Sequence, residues 1–199
     1  MKALLLAGVG LLVVALAAGS CAYQGYNEAI TLDENVKQHW AQVENELQRR
    51  YDMIPNLVNT VKGIAGQEQK IFLGIAEARK AYFQTQKSGT VAEKAEAATG
   101  VEQALSRLLF LQEKYPELKS NESFLKLQDE LAGTENRLSV ERMRYNESVK
   151  TLDVFVRKFP SSLYASLAGV KAAEYFKPSE EAHETPKVDF GTAEPATKS

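Results

Sequence analysis

The run Ala3–Tyr23 carries no charged side chain, and from Leu32 onward apolar residues return at every third or fourth position. An uncharged run of this length meets the ~20 residues a membrane-spanning helix needs. It also has the charged start, apolar middle and small-residue end of a signal peptide. Ala18-Gly19-Ser20-Cys21 is similar to the lipobox of bacterial lipoproteins, with alanine where leucine is commonest. Two expectations follow: an uncleaved spanning helix, or a lipid anchor on Cys21. Soluble secretion is a third, weaker fit.

Beyond the run, Leu32, Val36, Trp40, Val43 and Leu47 lie on one stripe of a helix that can continue from the membrane segment. Proline is best tolerated in a first helical turn, so Pro55 predicts a second helix starting near Met53 or Ile54. Its stripe is Leu57, Val58, Val61, Ile64, Ala65, Ile71, Phe72, Ile75, Ala78 and Tyr82, with Glu68 on the margin. Ser88-Gly89-Thr90 ends it, and Thr90 with Glu93 forms a capping-box pattern for a third helix. That helix carries Val91, Ala95, Ala98, Val101, Leu105, Leu108 and Leu109 and stops at Tyr115-Pro116. A fourth helix is expected from Glu122 to Lys158, ended by Phe159-Pro160, with Phe124, Leu131, Leu138, Tyr145, Val149 and Leu152 on its apolar side. A short helix at Val170–Phe176 would dock Tyr175 and Phe176. From Pro178 the composition predicts disorder. The fold class is therefore all-α: an up-and-down bundle of four long helices over residues 24–177, preceded by the membrane or signal segment 1–23 and followed by the tail 178–199.

With 44% apolar residues the chain can bury a core without disulfides, and its one cysteine could form none internally. The formal charge of −2, or −3 once Lys2 is lost with a cleaved segment, supplies no field for nucleic acid, which is excluded as a partner. Catalytic motifs are lacking. The two histidines, His39 and His183, stand far apart in the sequence, no Glu-x-x-His pattern marks a di-metal bundle, and no glycine-rich loop follows a strand. No cofactor, metal or catalytic residue is predicted.

Two polar stretches are denser than a solvated face requires. In the first, Arg49, Arg50, Asp52 and Asn56 follow one another around Pro55; in the second, Glu135, Arg142 and Asn146 share one edge of the fourth helix. They read either as surface ion pairs of little energetic value, or as an interhelix polar seam in which Arg49, Arg50 or Asp52 meets Glu135, Arg142 or Asn146. A ligand or partner could use the same edge.

Arg-Arg-Tyr-Asp-Met-Ile-Pro-Asn-Leu-Val (49–58) with Thr60-Val61-Lys62-Gly63, Tyr115-Pro116-Glu117-Leu118-Lys119, Phe124–Gln128, and Thr134-Glu135-Asn136-Arg137 leading to Arg144-Tyr145-Asn146 resemble the LemA family of bacterial membrane-associated proteins. The resemblance extends from Tyr26-Asn27 to Tyr175-Phe176, and Pro186-Lys187-Val188-Asp189-Phe190 is similar to the family's tail. It implies a helical bundle behind an N-terminal membrane segment and says little about mechanism. Ile64 and Gln67 stand where the family commonly has Tyr and His, and Leu152-Asp153 replaces its second Tyr-Asn.

Lys2 lies before the apolar run, and Glu28, Asp33 and Glu34 precede the first lysine after it, Lys37. The positive-inside rule then favours an extracytoplasmic, periplasmic body over a cytoplasmic one. The expected function is a non-enzymatic envelope module for protein interaction or scaffolding, its partner an unidentified envelope protein or another copy. The alternative is a small-ligand or lipid-binding sensor. An enzyme would require Asp52 and Glu135 to be buried together.

Overall fold

A computed structural model describes residues 2–177; the expected disordered tail, with His183 and the Pro186–Phe190 stretch, lies outside them. Helix α1 spans Lys2–Ala65 without interruption, joining the apolar segment to the heart of the bundle. It corrects the expectation of a new helix at Met53 or Ile54. Pro55 lacks the N–H that would bond the Tyr51 carbonyl one turn back. That carbonyl instead accepts a 3.1 Å hydrogen bond from Arg79 Nε of a neighbouring helix. On either side of the proline, Tyr51, Ile54, Leu57 and Val61 are all buried, so packing holds the helix through the gap.

The expected substitution pattern is specific. Arg79→Ala should destabilise the protein by about 1 kcal/mol, chiefly through the lost bond to the Tyr51 carbonyl, its 3.4 Å contact with the exposed Asp52 adding little. In a Pro55→Ala background, where the helix regains its own donor, the same change should cost much less. Chemical unfolding of the four variants measures the difference as a coupling energy.

The break assigned to Pro55 falls at Gly66–Glu68, where the Glu68 N–H bonds the Ala65 carbonyl at 3.1 Å. Lys114 and Tyr115 hold the Glu68 carboxylate, and their hydrogen bonds set its pKa below the usual range. Helix α2 (Gln69–Ser88) follows, and then Gly89 and the Thr90 cap. The capping box forms as expected: Thr90 Oγ1 accepts from the Glu93 N–H at 3.3 Å, and Glu93 Oε2 accepts from the Thr90 N–H at 2.7 Å. It opens helix α3 (Val91–Leu109), shorter than expected and followed by the one-turn α4 (Leu111–Lys114) and a 3-10 turn, Pro116–Ser120. Asn121 Oδ1 then caps α5 (Glu122–Arg157) by accepting from the Phe124 N–H at 2.9 Å.

The four long helices run up, down, up and down. Helix α1 pairs chiefly with α5 and α2 with α3. The layers are pinned by aromatic pairs: Trp40 of α1 on Tyr145 of α5, with ring centroids 5.2 Å apart, and Tyr51 of α1 edge-on to Tyr82 of α2 at 4.6 Å.

After α5 comes α6 (Ser161–Leu167), which Gly169 terminates at φ 70°. There the Val170 N–H returns to the Ala165 carbonyl and the Gly169 N–H to the Ser166 carbonyl, a Schellman closure that requires the left-handed residue. Residues 170–177 are not helical, correcting the short helix expected at Val170–Phe176. Their backbone groups are taken by side chains of α5. Tyr145 Oη donates to the Glu174 carbonyl at 2.7 Å, the Asn146 amide bonds both the N–H and the C=O of Phe176, and Asp153 Oδ1 accepts from the Ala173 N–H at 3.3 Å. This strap buries Phe176 and leaves Tyr175 partly exposed.

Candidate functional site

The two polar stretches come from α1 and α5, which pair antiparallel, so their middles lie at one level. Arg50 is the centre. It occupies the α1 face next to Leu47, Tyr51 and Ile54, and its side chain is only 9% exposed. A guanidinium so placed needs partners for every N–H. Nε and Nη2 form a two-pronged bond to Glu102 of α3 at 2.9 and 2.7 Å. Nη1 donates to the Leu131 carbonyl at 2.6 Å and to Thr134 Oγ1 at 3.1 Å. Nη2 also lies 3.4 Å from Glu135 Oε2.

From Glu135 the seam continues along α5. Its other oxygen is 3.7 Å from Arg142 Nη1, and the Arg142 guanidinium stacks 4.7 Å above the Phe176 ring. Asn146, one turn on, grips the Phe176 backbone. Arg50, Glu135, Arg142 and Asn146 thus form one chain of contacts from the α1–α3 boundary to the strap. Arg49, Asp52 and Asn56 do not join it. Arg49 lines an open groove with Met53, Asp129 and Arg137; Asp52 is exposed and bonded to Gln48 and Arg79; and the Asn56 side chain faces outward. Asp52 is therefore not buried beside Glu135. Among the described residues, no group of three His, Cys, Asp or Glu side chains is placed to hold a metal ion.

Glu102 and Thr134 join the seam without having been among its expected members: Thr134 opens the second polar stretch at the head of Thr134-Glu135-Asn136-Arg137, whereas Glu102 lies outside both stretches. A glutamate amid α3 resembles any solvated carboxylate, and the threonine within α5 is marked only by its place at the head of the polar stretch, beside Glu135. Lys94 is a third. It bonds Glu44 at 2.8 Å and stands over the Trp40 ring, tying α3 to α1 a turn and a half from Arg50.

Around this seam the tyrosines are held neutral. Burial, reinforced by the Glu102 carboxylate, raises the Tyr51 pKa far above its ordinary value; burial and then Glu44 do the same for Tyr82, whose hydroxyl has no hydrogen-bond partner among the described residues. Burial and then the Glu174 carboxylate push Tyr145 up to about 12. A pKa raised in the folded state contributes stability that is fully present below the unfolded value of about 10 and is lost as pH rises through the folded one. Stability should therefore fall above pH ~10 by about 1.4 kcal/mol per pH unit for each of these tyrosines. In an absorbance titration Tyr51 and Tyr82 should ionise only as the protein unfolds, and Tyr145 not before about pH 12 while the fold persists.

Residues 39–190 match the LemA family, a span that contains every member of the seam and the strap. The chain belongs to the LemA family. It is also similar to magnetosome protein MamQ of Magnetospirillum gryphiswaldense, at 27% identity over 187 residues, 82% of this chain and 66% of that protein. MamQ 2 of Paramagnetospirillum magneticum is 27% identical over 175 residues, 76% of this chain and 64% of that protein. The chain thus spans just under two thirds of the length of these curated relatives. The departures from the LemA pattern have structural places here. Ile64 packs against the core, Gln67 lies in the turn after α1, Leu152 is buried, and Asp153 ties the strap one heptad after Asn146 does.

Proposed function

We propose that this LemA protein is a membrane-anchored, non-enzymatic module of the bacterial envelope that presents its helix faces to a protein partner or to another copy of itself. The observation that carries the proposal is the continuity of α1. The uncharged segment and the central core helix are one helix, so the bundle meets the membrane without a flexible linker. Such rigidity suits a surface that must face a partner at fixed height and angle. The Arg50 seam supports it from within. Its guanidinium is saturated by Glu102, Leu131, Thr134 and Glu135, which suits a strut joining three helices rather than a ligand contact.

Anchoring uses the Ala3–Tyr23 segment as a spanning helix, or a lipid on Cys21, which lies exposed on α1. The charge pattern around the segment favours an extracytoplasmic body. A C-terminal alkaline phosphatase fusion should then be active, and an active cytoplasmic reporter in its place would reverse the orientation. Crosslinking in living cells, followed by detergent extraction and mass spectrometry, tests the function. An envelope partner or a self-crosslink should be captured reproducibly and be lost when the apolar segment is replaced.

A sensor of small ligands or lipids is the second reading, favoured by buried polar atoms that have no hydrogen-bond partner among the described residues, Tyr82 Oη, Glu135 Oε2 and Arg142 Nε. A ligand carried through native purification, or a thermal shift across a lipid and metabolite panel, would favour it over the interaction module.

A further inference from the structure

At the end of the bundle where α1 leaves it, three large apolar side chains stand open to solvent: Phe159 at 77%, Leu163 at 55% and Leu167 at 74% exposure. They recur every fourth residue. On α6, Leu163 and Leu167 share the face opposite the buried Ala165. A helix that merely closed the bundle against water would carry polar residues there.

The height of this face along α1 is fixed by Gly25. The Tyr164 ring of α6 lies so close to Gly25 that any side chain there would overlap it. Gly25 comes two residues after Tyr23, where the apolar run gives way to Gln24, and four after Cys21, about 6 Å along a helix at 1.5 Å per residue. With either a spanning helix or a lipidated cysteine, α6 therefore sits at the level of the lipid headgroups. Its surroundings fit that level. The exposed Arg157 and Lys158 precede it, and Tyr23 and Tyr26 of α1 are exposed where aromatic residues mark a membrane interface. Exposed apolar side chains beside basic ones form the composition of a helix lying in the interface.

We propose that Phe159, Leu163 and Leu167 insert into the surface of the same phospholipid bilayer that holds the N-terminal segment, making α6 a second foot beside α1. The bundle then stands on two contacts, and its tilt is set. The inference rests on membrane attachment through the N-terminal segment, and the experiment separates the two. The protein has one tryptophan, Trp40, which lies fifteen residues beyond Gly25, about 22 Å up the helix and out of reach of acyl chains. Single tryptophans are added to the full-length protein at Leu163, at Leu167, at Tyr23 and, as a distant control, at the exposed Leu125 near the start of α5. Each variant is reconstituted in vesicles of phosphatidylglycerol and phosphatidylcholine, with and without brominated chains.

Leu163→Trp and Leu167→Trp should be blue-shifted and lose most of their added emission to brominated lipid, as Tyr23→Trp does, while Leu125→Trp keeps its own. Quenching of Tyr23→Trp alone would leave the anchor standing and overturn the role of α6. Loss of quenching at Tyr23 as well would overturn both.

Discussion

Arg50→Met should destabilise the bundle by about 3 kcal/mol, because it strips a buried guanidinium from partners that cannot leave with it. Glu102 would lose both its charge-assisted bonds, the Leu131 carbonyl would lose a 2.6 Å donor, and Glu135 would keep only Arg142. The carboxylates are partly open to water, at 25% and 43% exposure, which holds the loss toward the lower end of the range for broken buried pairs. Arg49→Met next door removes an exposed charge from an open groove and should change stability by less than about 0.5 kcal/mol. Urea unfolding of the detergent-solubilised protein measures both. A double-mutant cycle with Glu102→Gln apportions the loss, since the second substitution should cost little once Arg50 is gone.

Gly25→Leu should be the most damaging change at a glycine of α1, the others having nothing within 4 Å of an added side chain. Leucine favours the helix more than glycine does, so α1 itself gains. The gain is outweighed because the new side chain overlaps the Tyr164 ring, and overpacking of this kind costs about 1–3 kcal/mol. Hydrogen exchange should show α6 losing protection while α2 and α3 keep theirs. Gly100→Ala provides the contrast: nothing lies within 4 Å of a side chain there, so it should stabilise α3 by up to about 1 kcal/mol through helix propensity alone. Equal losses from both substitutions would mean that the α1–α6 contact is not as described.

These contrasts also mark what a sequence can disclose. The Thr90–Glu93 box was legible because all its information lies within four residues. The helix break at Gly66–Glu68 was not, since a three-residue turn leaves Ala65, Glu68 and Ile71 at helical spacing and the apolar stripe in phase. Pro55 was misread because the donor that satisfies its turn, Arg79, belongs to another helix. In the strap, Val170, Ala173 and Phe176 repeat every third residue like a helix. Gly169 and the side chains of Asn146 and Asp153 draw the backbone into a different state. In the seam, Arg50, Glu135, Arg142 and Asn146 were named from density and spacing. Glu102 was not, because its role depends on which helix faces which, and that is decided by packing rather than by local pattern.

The measurement that tests the account most directly is site-specific photocrosslinking in living cells, comparing the wild-type chain with one carrying a flexible Gly-Ser insertion between Tyr23 and Gly25, ahead of the contact of α1 with α6. The insertion keeps the apolar segment and the seam but uncouples them. If α1 is the rigid mast that presents the bundle, the wild type should give a reproducible crosslinked partner or second copy from particular helix faces. The insertion should abolish that pattern while the purified protein melts as before. An identical pattern in both chains would contradict the account, since it would mean that the partner is found without the rigid coupling on which the proposed function rests.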